Sequence, residues 1–318
     1  MLKKGNFHPK GFGRQFGILL VIFIMMIVFA TGSNVFFTYS NFISIFQQAS
    51  IKGVIAVGMT LIIISGGIDL SVGAITGLSA IVAATIMTRN PESPQIAFAL
   101  IMAVLIGVLC GLLNGCLIAI FDLQPFLVTM GTMSLFRGID YIFSGALPVR
   151  NLPSAFLNFM NATNSSVPVP VILLLSVSLI GFLGIRYTKY GRYIFAVGGN
   201  EEATRLSGIN IRFIKILTYV FAGLTAVLAG FIYMGRLAAA DPNVGDGYEL
   251  DAIAAAAIGG ASLNGGKGGI LGSLIGAFML AMLANGLTLL NVQSFYQTAA
   301  TGLIIIIAVL IDKFSNRF

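Results

Sequence analysis

Six of the carboxylates within or beside the long apolar segments of this 318-residue chain are candidate functional groups. They are Asp69, Asp122, Asp241, Asp246, Glu249 and Asp251. An ionisable side chain at membrane depth is costly, so each is a candidate for contacting a polar solute or coupling an ion to its movement. Asp122 and Asp241 lie at the ends of apolar runs and close to a proline, which favours a structural role in a turn.

Asp69 lies in "SGGIDLSVGAITG", between the apolar stretches "GVIAVGMTLIII" and "LSAIVAATIM". Aspartate is a good helix N-cap, and "IDLSVGAITGL" can begin a helix at this position. The order of the predicted spans places Asp69 near the cytoplasmic edge of the membrane. We therefore expect Asp69 and its glycines to shape a helix break beside a translocation path. Direct contact with the substrate is the alternative.

The chain lacks the motifs of an enzyme active site. The stretch "ASLNGGKGG" resembles a phosphate-binding loop, but Ala261 replaces the first required glycine and Gly268 replaces the Ser or Thr after the lysine. The one histidine, His8, is in the polar N-terminal tail, and Cys110 and Cys116 stand in apolar sequence without metal-site spacing. We expect no catalysis, no metal site and no cofactor on this chain.

The elements that must position these residues are membrane helices. Hydrophobic residues make up 57% of the chain, charged residues 9%, and the mean hydropathy is +0.97. A soluble domain carries about 25% charged residues, so this chain cannot cover a surface that faces water. The predicted spans are 16–33, 45–65, 70–88, 97–121, 126–145, 168–186, 213–235, 248–263, 268–290 and 295–312. The sequence predicts an all-α polytopic membrane protein, a single transmembrane permease domain over 1–318, with about ten transmembrane helices.

The basic residues predict the orientation of these spans. The loop 186–215 carries six Lys and Arg residues against two Glu. Lys and Arg are retained on the cytoplasmic side, so this loop and both termini are predicted to be cytoplasmic. The formal net charge of +7 is interpreted as this signal and not as a nucleic-acid surface. The N-terminal apolar run is expected to be an uncleaved first span and not a signal peptide.

Two features interrupt the simple order of spans. The segment 248–263 is short and carries two acids, so a broken or re-entrant helix is expected there. The stretch "SGGIDLSVG" (65–73) resembles "IGGASLNGG" (258–266) at an offset of 193 residues. This echo raises the hypothesis of a parallel internal repeat, with chance similarity between glycine-rich stretches as the alternative.

The basic loop contains a candidate short helix, "GGNEEATRLSG". Asn200 can cap it, Glu201 and Glu202 suit its first turn, and Gly208 can end it. Such a helix is either a solvated connector or a docking element for a cytoplasmic partner. Polar residues within apolar runs are candidates for lining a path or for hydrogen bonds between helices. They are Asn114, Thr129, Ser134, Asn264, Asn285 and Gln297.

Three long stretches resemble the permease subunits of bacterial monosaccharide ABC importers. They are "GMTLIIISGGIDLSVGA", "GRYIFAVGGNEEATRLSGIN" and "GYELDAIAAAAIGGASLNGGKGGILGSLIGA", and the resemblance runs over about 40–313. "RYIFAVGGNEEATRLSGIN" and "GYELDAIAA" favour the ribose branch of that family. The resemblance implies a homodimeric or pseudo-dimeric pore in the bacterial cell membrane. It also implies a cytoplasmic ATPase subunit that binds the ATP and an extracytoplasmic sugar-binding protein.

In that family the loop between the sixth and seventh spans docks the ATPase. Carried onto this chain, the docking role falls to Gly198, Gly199, Asn200, Glu201, Ala203, Thr204, Ser207 and Gly208. A translocation path or gate is expected at Gly66, Gly67, Asp69, Ser71, Asn114, Asn264 and Asn285. The expected function is the import of ribose or a similar monosaccharide. The alternatives are an ion-coupled secondary transporter with Asp69 and Asp251 as coupling acids, and a passive channel.

Overall fold

The computed structural model describes residues 10–164 and 167–315, and within them the chain forms thirteen helices and one small hairpin. The long helices are α1 (Lys10–Gly32), α2 (Tyr39–Ile64), α3 (Val72–Thr88), α4 (Ile96–Ile120), α5 (Pro125–Ser144), α7 (Val169–Tyr187), α10 (Ile211–Leu237), α12 (Ile270–Leu289) and α13 (Ser294–Ser315). The short elements are α6 (Ser154–Met160), β1 (Thr163–Asn164), β2 (Val167–Pro168), α8 (Lys189–Gly199), α9 (Glu201–Leu206) and α11 (Tyr248–Ile258). In the antiparallel hairpin, Thr163 pairs with Pro168 and Asn164 with Val167. His8 lies outside the described residues.

Each of the ten predicted spans coincides with a helix, which confirms the all-α polytopic fold. Five of the described helices are long and apolar enough to cross a membrane by length and composition: α2, α4, α7, α10 and α12. The helix α11 has 11 residues and rises about 16 Å, roughly half of a bilayer core. The segment 248–263 is therefore a broken helix, as its length and acids predict.

Glycines bring α4 and α10 into close backbone contact at the centre of the bundle. A Cβ atom built on Gly111 would stand 2.7 Å from the Cα atom of Val220, and one on Gly115 would stand 2.8 Å from the Cα atom of Ile216. Real side-chain atoms do not approach so closely, so both positions require glycine. Small residues serve helix packing here, which is the common use of such spacing in membranes.

The packing contradicts the parallel repeat. Three extensive helix contacts each occur twice in the bundle. The contact of α10 with α4 corresponds to that of α2 with α12, and the contact of α10 with α3 corresponds to that of α2 with α11. The contact of α3 with α4 corresponds to that of α11 with α12. The repeat thus relates α2–α5 to α10–α13. The helices α2 and α10 run antiparallel, because Gly58 lies against Ala222 while Gly67 lies against the hydroxyl of Tyr219. The two halves form an inverted repeat.

The similarity of 65–73 to 258–266 does not extend to the backbone conformation. The amide of Gly266 donates to the carbonyl oxygen of Ile64 at 2.9 Å, so the two stretches lie against each other. Gly66 has φ of +84°, whereas Gly259, its counterpart at the offset of 193 residues, has φ of −64°. Gly266 has φ of +69°, and its counterpart Gly73 lies within α3. The two stretches therefore share glycines without sharing a bend.

Candidate transport and docking sites

A helix break at 65–71 separates α2 from α3. Asp69 is fully buried in this break, and its Oδ1 accepts hydrogen bonds from the amide of Ser71 at 2.7 Å and from the Ser71 hydroxyl at 2.6 Å. The N-cap residue of α3 is Ser71, two residues later than the sequence predicts. Asp69 still opens the helix, because its carboxylate closes a turn onto the first free amide.

A chain of polar side chains extends from the break into the bundle. The amide nitrogen of Asn114 on α4 donates to the Ser71 hydroxyl at 2.8 Å, and the Thr132 hydroxyl on α5 donates to the Asn114 side-chain oxygen at 2.7 Å. Asn114 lies six residues before the end of α4, which is about 9 Å along the helix. Asp69 is therefore deeper than the edge position predicted from the order of spans, since the break folds back into the bundle.

The carbonyl oxygen of Ile68 fixes the break from two further helices. The hydroxyl of Tyr219 on α10 lies 3.2 Å from this oxygen, and that of Thr129 on α5 lies 3.4 Å from it. One oxygen of Asp69, Oδ2, is buried and has no hydrogen-bond partner among the described residues. The break is thus a defined structure held by α4, α5 and α10, with one acceptor unused.

Three glycine-containing segments, 64–67, 198–199 and 265–266, meet at this end of the bundle. A Cβ atom on Gly198 would overlap the carbonyl oxygen of Ile64 and stand 2.7 Å from the amide of Gly266. A Cβ atom on Gly265 would stand 3.0 Å from the Cα atom of Gly66. The predicted docking segment therefore touches the helix break directly, backbone against backbone.

Two cavities open at the same end. One, of about 370 Å³, lies between the break and the docking segment. Its lining includes Ser65, Gly66, Gly67, Asp122, Gly198, Gly199, Asn200, Glu201, Lys215 and Tyr219. The other, of about 580 Å³, lies beside α9 and the start of α10, with Asp122, Glu201, Arg205, Arg212 and Lys215 in its wall. Both cavities offer polar and charged groups to a ligand or partner.

The helix α9 forms as its sequence predicts. The Asn200 side-chain oxygen accepts from the amide of Ala203 at 2.9 Å, and Gly208 has φ of +77° just beyond the helix. Glu201 is bonded to Lys215 on α10 at 2.8 Å, which fastens the helix to the bundle. Leu206 is 81% exposed, so α9 presents an apolar side chain to its surroundings.

The remaining docking residues differ in what they contact. Thr204 is buried, and its hydroxyl donates to the Asn200 carbonyl at 2.7 Å, so it supports the helix from inside. The Ser207 hydroxyl is exposed and donates to the Ala203 carbonyl at 2.9 Å. Exposed Glu202 and Arg205 form an ion pair at 3.0 Å.

The other polar candidates do not join the cluster at the break. Asn264 is exposed in the neighbouring loop. Asn285 lies apart, where its side chain donates to Asn41 on α2 at 2.9 Å, an interhelical hydrogen bond. Ser134 is exposed on α5, and the Gln297 side chain donates to the Val292 carbonyl at 2.9 Å. For Asn285, the structure thus shows a hydrogen bond between helices, the alternative to lining a path.

A lysine that sequence reasoning missed neutralises one of the candidate coupling acids. Lys52 on α2 lies 2.5 Å from Asp251 on α11, and their side chains are 28% and 13% exposed. The signal was present as a single basic residue in the run "ASIKGVIAVG". Among the described residues, no three His, Cys, Asp or Glu side chains come together as a metal site requires.

A second break, 238–247, lies between α10 and α11; it begins at the opposite end of the bundle and reaches the start of α3, where the Gly245 carbonyl oxygen lies against Gly73. Arg137 on α5 donates to the carbonyl oxygens of Pro242 at 2.6 Å and Val244 at 2.8 Å. Asp140, one turn along α5, is fully buried at 3.8 Å from the Arg137 guanidinium. Sequence reasoning missed this pair, although Arg and Asp at i and i+3 in "LFRGIDYIF" signal it.

A polytopic helix bundle with two interrupted helices in inverted halves is an architecture common among membrane transporters. The family model described as "Branched-chain amino acid transport system / permease component" matches residues 41–311. The chain belongs to that family. No solved structure gives a significant match.

Named relatives cover nearly the whole chain. The ribose import permease protein RbsC of Escherichia coli K12 is 42% identical over 299 residues, 93% of this chain and 92% of the relative. The D-allose transport system permease protein AlsC of the same strain is 39% identical over 316 residues, 99% of this chain and 96% of the relative. The galactose/methyl galactoside import permease protein MglC is 33% identical, with 94% of each chain covered. The relatives are transport permeases, in line with the prediction of a non-enzyme.

Proposed function

We propose that this chain is the permease subunit of an ABC importer that moves ribose or a similar monosaccharide across the bacterial cell membrane. The observation that carries the proposal is the 42% identity to a ribose import permease over 93% of the chain. The allose and galactose permeases among the relatives support a monosaccharide as the substrate class. The degraded phosphate loop at 261–268 supports a nucleotide site on another chain.

The segment 198–208 is proposed to dock the cytoplasmic ATPase. Its support is geometric: α9 is exposed on its outer side, with Leu206 81% exposed, and Gly198 packs on the carbonyl of Ile64 at the helix break. A force applied to α9 therefore reaches the break without an intervening side chain. The basic residues around α9 favour the cytoplasmic side for this end and for both termini.

The two breaks are proposed as the gates of the path. The residues at 65–71 together with Asn114 form the cytoplasmic gate, beside the cavity of about 370 Å³. Asp69 shapes this gate through Ser71, as its hydrogen bonds favour, and contact with sugar remains the alternative. Asn264 stands at the edge of the same region. The sugar-binding protein delivers to the opposite end, and a second permease copy completes the pore.

Proteoliposomes test the proposal. The permease is reconstituted with its ATPase and binding protein, and labelled ribose uptake is measured with and without internal ATP. We expect uptake that requires ATP and the binding protein, with unlabelled ribose competing better than allose or galactose. Uptake driven by a proton or sodium gradient without ATP would overturn the ABC assignment. Stronger competition by another sugar would overturn the choice of ribose as the substrate and leave the ABC assignment unaffected.

The Lys52–Asp251 pair favours ATP coupling over ion coupling. A coupling carboxylate must release and rebind its ion in each cycle, whereas Asp251 is held by a lysine at 2.5 Å. A carboxylate with a fixed cationic partner is poorly suited to that exchange.

A further inference from the structure

We propose that Arg137 is a positioning residue for transport: a two-position latch that holds the break 238–247 closed by binding its carbonyls and holds it open by binding Asp140. The proposal rests on the proposed transport function, in which this break faces the side of sugar delivery. Three observations carry it: the present partners of Arg137, the vacant acceptors beside it, and the way in which the turn is held at its two ends.

The present partners of Arg137 are both on the turn. Its Nη1 donates to the carbonyl oxygens of Pro242 at 2.6 Å and Val244 at 2.8 Å. Hydrogen bonds from a charged donor are about twice as strong as neutral ones. The Tyr141 hydroxyl, one turn further along α5, adds a bond to the Asn243 side chain at 3.0 Å. One face of α5 thus binds the turn at two backbone carbonyl oxygens and at one side chain.

The vacant acceptors belong to Asp140. Both of its carboxylate oxygens are buried and have no hydrogen-bond partner in the described part of the chain. The nearest cationic atom is the same Nη1 of Arg137, at 3.8 Å, which is too long for a hydrogen bond. A buried carboxylate without partners is costly, and an arginine can satisfy both oxygens at once. The Asp140 carboxylate is therefore a second set of acceptors for Arg137, and a shift of the guanidinium by about 1 Å would bring it into hydrogen-bond distance.

The turn is held at its start and contains glycines at its end. Its start is fixed by Ala240, whose amide and carbonyl pair with Val149 at 2.9 and 2.8 Å. Its end contains Gly245 and Gly247, with φ of +84° and +78°. Between these points the carboxylate of Asp241 accepts two hydrogen bonds within the turn, both from Asn243. Apart from α5, the turn rests on α3, where the Gly245 carbonyl touches the backbone of Gly73.

The two arrangements compete for Nη1, because both of its protons go to the carbonyl oxygens when the turn is seated. When the turn is seated, the guanidinium is drawn to the carbonyls and Asp140 stays unsatisfied. When the turn leaves, Arg137 loses two bonds and gains a carboxylate, so the cost of opening is largely offset. Exchange between two discrete hydrogen-bonded arrangements is the kind of bistable element that gating requires. Thr132, also on α5, binds the Asn114 side chain that holds the other break, so one helix contacts both gates.

Cysteine accessibility tests the latch without sugar or ATPase, so its outcome is independent of the proposed function. Val244 is 5% exposed when the turn is seated, and Val244→Cys in a Cys110→Ala, Cys116→Ala background reports its release. The purified permease is placed in lipid nanodiscs, where both faces are open, and labelled with a negatively charged maleimide. Arg137→Gln should label about tenfold faster, since one hydrogen bond to a charged group is worth more than that factor.

Asp140→Asn is the decisive variant. It removes the charge that attracts Arg137 in the open position, so labelling should be several-fold slower than in the parent, opposite in direction to Arg137→Gln. Arg137→Lys, which keeps a charged donor, should lie between the parent and Arg137→Gln. Ser176→Ala, an exposed position on α7, serves as the matched control and should not change the rate.

A loosened fold is detected separately. A second set of the same variants retains Cys110, a residue of α4 that is 6% exposed. Labelling of the Cys110 thiol should stay slow in every variant. Faster labelling at Val244→Cys in both Arg137→Gln and Asp140→Asn, or no change in either, would overturn the latch. With the latch intact, both variants should also lower ATP-dependent uptake at least fivefold, because each traps one position.

Discussion

Lys52 and Asp251 join α2 to α11 across the centre of the bundle, and removing either charge alone should destabilise the permease. The two atoms are 2.5 Å apart, and the side chains are 28% and 13% exposed. Breaking a buried ion pair by removing one partner costs about 3–5 kcal/mol. The partial exposure of Lys52 lets its ammonium group reach solvent, so we expect about 2–3 kcal/mol for Asp251→Leu or Lys52→Met.

Removing both charges together should restore most of the loss. Replacing a buried pair by apolar residues of similar volume is neutral or stabilising, so Lys52→Met with Asp251→Leu should unfold close to the parent. The assay is thermal unfolding of the purified permease in one detergent, with all four members of the double-mutant cycle compared. Lys189→Met, at an exposed position at the start of α8, is the control and should not shift the midpoint.

The cycle also separates a structural pair from a coupling acid. A coupling energy near zero, with additive effects of the two substitutions, would refute the argument from geometry. A stable double variant that has lost all sugar uptake would show that the Asp251 carboxylate acts in transport itself, as the ion-coupled alternative requires.

Three further outcomes follow from the breaks and the docking segment. Gly198→Val should separate the docking segment from the carbonyl of Ile64 and reduce ATP-dependent uptake at least tenfold while the permease still reaches the membrane; normal uptake would show that this contact is dispensable. Glu201→Lys with Glu202→Lys should leave ATP hydrolysis uncoupled from transport, measured as phosphate released per sugar, whereas unchanged coupling would contradict the docking assignment. Asn114→Leu should remove two buried hydrogen bonds, to the Ser71 and Thr132 hydroxyls, and lower the unfolding midpoint by the equivalent of about 1–3 kcal/mol; an unchanged midpoint would contradict the network.

Much of the docking segment could be read from its sequence because it is local. A cap at Asn200 and a terminating Gly208 are separated by a few residues, and hydrogen bonds over that distance depend on residue type alone. The apolar runs likewise predicted the ten helices, since a helix in lipid must satisfy its own backbone wherever its neighbours lie.

The sites at the breaks depend on contacts that the sequence does not encode locally. The break at 65–71 was predicted, but its depth was not, because the depth of Asp69 is set by Asn114 and Thr132 on other helices. Arg137 was missed because its partners are about a hundred residues away along the chain, at 242 and 244. Asp140 was also missed, although its i, i+3 spacing from Arg137 within a predicted span was a signal; its complete burial is set by the fold.

The sequence by itself determined the class of protein: its apolar composition requires membrane helices, and its glycine-rich stretches require bends at fixed positions. Only the tertiary structure decided that these bends form two breaks in an inverted repeat, and that the stretches 65–73 and 258–266 are not counterparts within it. The physical reason is that composition and φ preferences act on single residues, whereas close packing and hydrogen bonding act between segments that the fold alone brings together.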